Sequence, residues 1–394
     1  MNLHQQTSRN MSSSISEMPS ADSSSEIPVV TDPRYLEIDR KQQLIADLLE
    51  KNQQTALIIQ QPWNFQWLTS GGTNQAPDGR LCAALYITKD TRVLLTSNAD
   101  APWIFDTQIP QLGFYVKERN WTEQPEDLAN DLCRGRQVVS DTGVASTKNI
   151  DGDLQKLRVR LSSREQSLAI TLGQDLTGCV ERSALKSQPG QTELEVAGAV
   201  THRLMAAGIE PVGVWVSGDG ENERYRESIP RPQPINRFAT ITATGRRDGI
   251  CVTVSRIMCF EISEKTVPPA YQAAAISQAT GIYWSQPEMM LEKIWERVTR
   301  SYEVNDFPDE WRLNEQGGLL AQRPCEHRIV PNSPIRLKPG MLVNWRSQVG
   351  PCSLSDTILV TDQGPEWLTK TEQWPLFQVE IKGETLSRPA LLKF

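Results

Sequence analysis

The stretch Gln188-Pro-Gly-Gln-Thr-Glu-Leu-Glu-Val196 divides a helix-rich segment from a strand-rich one. Pro189-Gly190 stops the helix before it, because proline lacks the N–H a helix needs. Thr192 and Glu195 have the spacing of a capping box, in which hydroxyl and carboxylate satisfy each other's orphan N–H groups. Upstream, Ser162-Ser-Arg-Glu165 has the same spacing and predicts a helix to about Lys186. Downstream, Leu194, Val196, Ala197, Val200 and Leu204 supply one apolar helical face up to Gly208, a C-cap residue. The pattern then changes to strands at Gly213–Val216, Phe238–Thr244 and Gly249–Val254. Helices are predicted over Pro269–Tyr283 and Glu288–Ser301, and further strands at Met341–Trp345 and Thr357–Thr361. Helices followed by a strand-rich end indicate an α+β unit over residues 159–394.

The preceding segment, 33–158, reads differently. Residues 35–51 carry leucines and isoleucines at helical spacing, and short apolar runs follow at Ala56–Ile59, Ala83–Ile87, Val93–Thr96 and Val138–Val139. Gly71-Gly72, Pro77-Asp-Gly79 and Asp141-Thr-Gly143 punctuate them, which predicts an α/β unit. Residues 1–32 form a Ser-rich tail, with eight serines between Ser12 and Ser25. Such a segment buries too little apolar surface to offset its ordering entropy, so a disordered tail is expected.

Composition excludes several functions. The 394 residues carry 48 acidic against 41 basic side chains, a net charge of −7, and no Lys/Arg-rich block. That is not the electrostatic footprint of a nucleic-acid binder. No apolar run approaches the roughly 18 residues a membrane span needs. The seven cysteines are scattered without a C-x-x-C pair, which suits reduced thiols and a cytoplasmic location. With only His4, His202 and His327, metal and triad proposals are constrained before any motif is considered.

Several phrases, in order, resemble the creatinase, prolidase and aminopeptidase P group of pita-bread proteins. Ala56-Leu-Ile-Ile-Gln-Gln-Pro-Trp-Asn-Phe-Gln-Trp-Leu-Thr69 is similar to a segment of that group's first domain. Ser162-Ser-Arg-Glu165 and Gln188–Val196 resemble its linker helix and its "p-G-x-T-E-x-E-V" phrase. Lys338-Pro-Gly-Met-Leu-Val343 and Ser355-Asp-Thr-Ile-Leu-Val-Thr361 resemble "k-x-G-M-v-f" and "E-D-T-v-l-V-t". The resemblance covers about residues 35–370. It implies an α/β N-terminal domain plus an α+β pita-bread C-terminal domain, and a homodimer. Tyr225-Arg226, Ser255-Arg256 and Gln316-Gly317-Gly318 further resemble a bacterial branch called Xaa-Pro peptidases by similarity.

Active members of the group hold two divalent cations with two Asp, one His and two Glu, which activate a bridging water. In this sequence the matching positions hold Thr242, Thr253, Gly317, Arg346 and Ser355. None is a metal ligand of that kind, so no metal cofactor is expected, and metal-dependent hydrolysis is disfavoured. Creatinase itself is metal-free and relies on a His, but the matching segment here reads Glu223-Arg224-Tyr225-Arg226.

The resemblance gathers Arg224, Tyr225, Arg226, Arg256, Arg323, Glu326, Arg346 and Asp356 around the emptied position. Guanidinium groups in a cleft suit carboxylate or phosphate, so a small anionic ligand or peptide is one expectation. The other is an internal ion-pair network in which Arg346 pairs with Asp356 or Glu326. A binding or interaction protein is the leading functional expectation. A metal-independent C–N hydrolase, and an Xaa-Pro peptidase whose ligands lie in another register, are the alternatives.

Overall fold

The computed structural model describes residues 32–227, 229–261, 267–371 and 373–394. The Ser-rich tail, up to residue 31, lies outside them. Helix α1 (Pro33–Lys51) opens the first unit, capped by the Asp32 carboxylate, which accepts from the Arg34 N–H. Strand β1 (Ala56–Ile59), helix α2 (Pro62–Leu68) and strands β2 (Ala83–Ile87) and β3 (Arg92–Ser97) follow. A single turn α3 (Ala101–Trp103) precedes β4 (Tyr115–Arg119), helix α4 (Pro125–Cys133), β5 (Val138–Ser140), β6 (Lys148–Asn149) and helix α5 (Asp151–Arg158). The strands form one six-stranded mixed sheet in the order β4-β3-β2-β1-β5-β6. Alternation sorts its faces: Leu57 and Ile59 pack with α1, whereas Ala56 and Ile58 pack with Leu128 and Ala129 of α4.

The second unit begins with two long helices, α6 (Ser163–Ala184) and α7 (Glu193–Ala206), and both capping boxes are formed. Strands β7 (Glu210–Gly218), β8 (Phe238–Arg247) and β9 (Ile250–Cys259) make an antiparallel sheet against them. Helices α8 (Val267–Trp284) and α9 (Leu291–Val304) cover a second sheet. It is built from β10 (Gly317–Leu320), β11 (His327–Arg328), β12 (Leu342–Val349), β13 (Cys352–Thr361) and β14 (Gly364–Trp367). A hairpin of β15 (Leu376–Ile381) and β16 (Glu384–Pro389) follows, and β17 (Leu392–Lys393) joins the edge of β9. Each sheet thus has its own helix pair on the outside and its own apolar cluster beneath. Helix α9 starts later than its sequence pattern predicts. Glu288 takes a positive φ of 68° and Met290 bridges to Arg336, so the chain turns before it coils.

Two buried ion pairs lock the units together. Lys41 of α1, fully buried, donates to Glu165 Oε1 at 2.8 Å, the Trp67 carbonyl at 2.7 Å and Ser70 Oγ at 3.1 Å. Arg158 closes a fork on Glu326 at 2.8 and 3.0 Å while its third nitrogen donates to Asn64 Oδ1 at 2.6 Å. Between them the chain after α2 presses on the β8–β9 turn. Gly71 has a φ of +113°, and a Cβ there would lie 2.8 Å from Asp248 Cα, so only glycine allows the approach.

Glu326→Gln leaves buried Arg158 with only the more distant, part-exposed Asp151 at 3.5 Å to balance it, and guanidinium unfolding should show a loss of about 3 kcal/mol. A second test uses Asp141, which accepts from the Gln60 and Gln61 N–H groups and from Asn64. Burial nevertheless pushes its carboxyl up to about 6. The folded state therefore keeps a proton that the unfolded chain has already released, and stability drains as pH rises through roughly 4 to 6. Carbon-detected NMR should place the Asp141 midpoint near 6, and Asp141→Asn should flatten that part of the stability profile.

Candidate functional site: a hydroxyl-lined cavity between the two sheets

Strand alternation decides what faces the space between the two sheets of the second unit. On β8, Thr240, Thr242 and Thr244 share one face. On β12 Asn344 and Arg346 do, and on β13 Ser353 and Ser355. These residues, with Thr253 of β9 and Ser217 of β7, line a cavity of about 310 Å3. Its rim is Tyr225, Arg226, Glu227 and Glu315, and Gly317, Gly318, Pro324 and Cys325 close one side.

Hydroxyls stitch the two sheets. Thr244 Oγ1 and Thr253 Oγ1 are 2.7 Å apart. Thr357 Oγ1 donates to the Thr253 carbonyl at 2.8 Å and accepts from the Thr253 N–H at 3.1 Å. Ser255 Oγ accepts from the Ser355 N–H at 2.5 Å, and Ser355 Oγ donates to Asn344 Oδ1 at 3.0 Å.

The five positions matched to the metal ligands, Thr242, Thr253, Gly317, Arg346 and Ser355, all line this one cavity. Their donor set does not suit paired divalent cations. Hydroxyls are neutral, a guanidinium is positive, and among the described residues no group of three or more His, Cys, Asp or Glu could hold a metal ion. Gly317 has a φ of +116°, and a Cβ there would fall 1.9 Å from the Asn344 carbonyl oxygen, so no side chain fits.

Of the residues expected around the cavity, Tyr225, Arg226 and Arg346 line it; the others do not. Asp356 follows Ser355 and so points to the opposite face of β13, beside Trp345. There it meets Arg256 at 3.2 Å, the Thr369 hydroxyl at 2.7 Å, the Trp367 indole N–H at 3.2 Å, and Arg388. Arg256, likewise turned away from Ser255, also donates to Glu181 Oε1 at 2.7 Å. Burial raises the Glu181 carboxyl above its ordinary range. Glu326 is spent on Arg158. Arg323 lies over the Trp63 ring at 4.6 Å, and Arg224 stacks on Tyr225 at 5.1 Å. Arg346 pairs with neither Asp356 nor Glu326: it contacts the Glu227 carboxylate and donates to the Arg226 carbonyl at 3.2 Å. His327 sits on β11, with Nε2 3.2 Å from Ser333 Oγ. Glu227, Glu310 and the neighbours of Thr242 in the threonine row of β8, Thr240 and Thr244, were not singled out in the sequence. The Thr-x-Thr-x-Thr alternation is the signal that could have found the row.

No family model matches the chain, and no curated protein matches it by sequence. Solved structures do match. The prolidase from Pyrococcus horikoshii superposes with a TM-score of 0.73 at 16% identity, over 84% of this chain and 99% of that one. The Xaa-Pro dipeptidase from Bacillus anthracis gives 0.72 at 14% identity, over 91% of this chain and 100% of that one. The chain has the pita-bread fold. The N-terminal domain of the FACT complex subunit SPT16 from Cicer arietinum shares it, with a TM-score of 0.64 at 12% identity over 85% of this chain and 95% of that one. The two helix-backed sheets are the halves of that pita-bread scaffold, and the hydroxyl-lined cavity lies between them. Among the described residues no helix is long and apolar enough to cross a membrane.

The two faces of β13 make different demands. Asp356→Asn leaves two buried guanidiniums with one carboxylate between them and should cost about 3 kcal/mol or more. Ser355→Ala, one residue earlier, loses a single neutral hydrogen bond and should cost about 1 kcal/mol. Paired urea unfolding curves check the contrast.

Proposed function

We propose that this chain is a ligand-binding protein built on a peptidase scaffold, which holds a short peptide or other small organic carboxylate without paired metal ions. The observation that carries the reading is the lining itself. Hydroxyls and an asparagine amide offer neutral donors and acceptors, and Arg346 and Arg226 offer guanidiniums, in a concave space of a size small ligands fill. Those groups suit a carboxylate with polar substituents better than they suit a cation.

Two further observations support it. Among the described residues the cavity has no nucleophile–base pair: Cys325 is the one thiol in its lining, burial raises its pKa, and His327 is hydrogen-bonded to Ser333. The same fold also serves in a subunit of the FACT complex, so it is not confined to peptidases. A proline-specific peptidase remains the reading against which ours is tested.

Elemental mass spectrometry of the full chain should find well under one Mn, Co or Zn per molecule. The dipeptide Gly-Pro should bind in calorimetry without being hydrolysed, and Arg346→Ala should weaken that binding. Two tightly held ions together with Gly-Pro cleavage would establish a metallopeptidase and end this proposal.

A further inference from the structure

The rim of the cavity contains a carboxylate that already occupies its principal guanidinium. Arg346 rises from β12 among the hydroxyls, its side chain four-fifths buried. Glu227 reaches it from the loop between β7 and β8, and the Glu227 side chain is 56% exposed. The pairing is thus lopsided: the arginine belongs to the cavity, and the glutamate comes in from solvent.

We propose that Glu227 is a built-in, displaceable competitor, which covers Arg346 until a ligand carboxylate takes its place. The inference rests on the carboxylate-binding reading above and adds how the site is regulated. Three features support it. First, Arg346 has no second carboxylate partner among the described residues, because Asp356 and Glu326 are committed to Arg256, Arg388 and Arg158. Glu227 alone neutralises it. Second, the cavity holds polar atoms with nothing to bond. Among the described residues, Thr240 Oγ1 and Asn222 Oδ1, on residues each only 4% exposed, have no hydrogen-bond partner, and neither has Arg226 Nη1. A ligand that reaches past Glu227 meets donors and acceptors that no protein group already uses. Third, the loop that carries Glu227 is anchored ahead of the contact, and beyond it the Arg231 N–H donates to Glu193 Oε2 at 2.9 Å. Asn222 Nδ2 donates to the Pro351 carbonyl at 2.8 Å, the Asn222 carbonyl accepts from Gln348 Nε2 at 2.8 Å, and Arg226 pairs with Glu310 at 3.1 Å. The glutamate can therefore swing out while its neighbours stay in place, and exchanging one carboxylate for another leaves the charge around Arg346 unchanged.

Three proteins and one probe test this: wild type, Glu227→Gln and Arg346→Gln, each titrated with Gly-Pro, with folding verified by circular dichroism. In parallel, phenylglyoxal labelling of Arg346 is followed by peptide mass spectrometry, a readout that needs no ligand. Glu227→Gln should bind Gly-Pro about fivefold more tightly, the scale of a half-exposed ion pair, and Arg346 should be labelled several times faster. Arg346→Gln should lose the binding. If Glu227→Gln neither tightens binding nor speeds labelling while Arg346→Gln still loses Gly-Pro, the competitor is refuted and the carboxylate site stands. If Arg346→Gln binds as wild type does, or no form binds, the carboxylate reading itself fails and the competitor fails with it.

Discussion

The buried carboxylate of Asp356 holds the second unit in its shape. It accepts from two guanidiniums, an indole N–H and a hydroxyl, and these come from β9, β14, β16 and the chain just after β14. With Glu181 on Arg256, two positive and two negative groups balance in a space closed to water. Such a cluster adds little net stability over a well-packed apolar core, since desolvation consumes much of the attraction. Its value is positional. The hairpin after β14 carries only one residue into it, Arg388, and that guanidinium also donates to Gln278 of α8 at 2.7 Å. One side chain therefore ties the C-terminal hairpin, helix α8 and strand β13 together.

Because that cluster is self-neutral and lies behind β13, it sends no uncompensated charge into the cavity in front. What the cavity shows to a ligand is then set by single-residue alternation along the strands: hydroxyls on the floor, guanidiniums and carboxylates at the rim. Among the described residues the adjoining unit contributes none to this lining, but it braces the cavity wall. Glu326, held by Arg158, accepts from the Arg323 N–H at 3.1 Å, and so fixes the start of the loop that brings Pro324 and Cys325 to the cavity.

Much of this was legible in the sequence where local physics decides structure. Two capping boxes, the strand runs and the order of family-like phrases were enough for the fold, and the five ligand-like positions converge in space. What failed was the step from nearness in sequence to nearness in a site. Ser355-Asp356 and Ser255-Arg256 read as pairs, but in a strand adjacent side chains point to opposite faces, so Asp356 and Arg256 face away from the cavity. Arg323 and Glu326 were lost for a different reason. Their partners, Trp63 and Arg158, come from the other unit, and no local pattern announces a contact across some 170 or more residues. Glu227 sits in a loop without periodicity, where sequence offers no register at all.

The backbone at Gly317 limits what substitution can do to such a site. With its turn set and the Asn344 carbonyl standing where a first side-chain carbon would go, no imidazole or carboxylate can be installed there by one codon change. Admitting one would first require β10 and β12 to part. Changes at 242, 253, 346 or 355 are free of that clash, so the cavity can be rewritten from four sides but not from the fifth. A steric closure one atom wide thus sets which chemistries this lining can reach by single replacements.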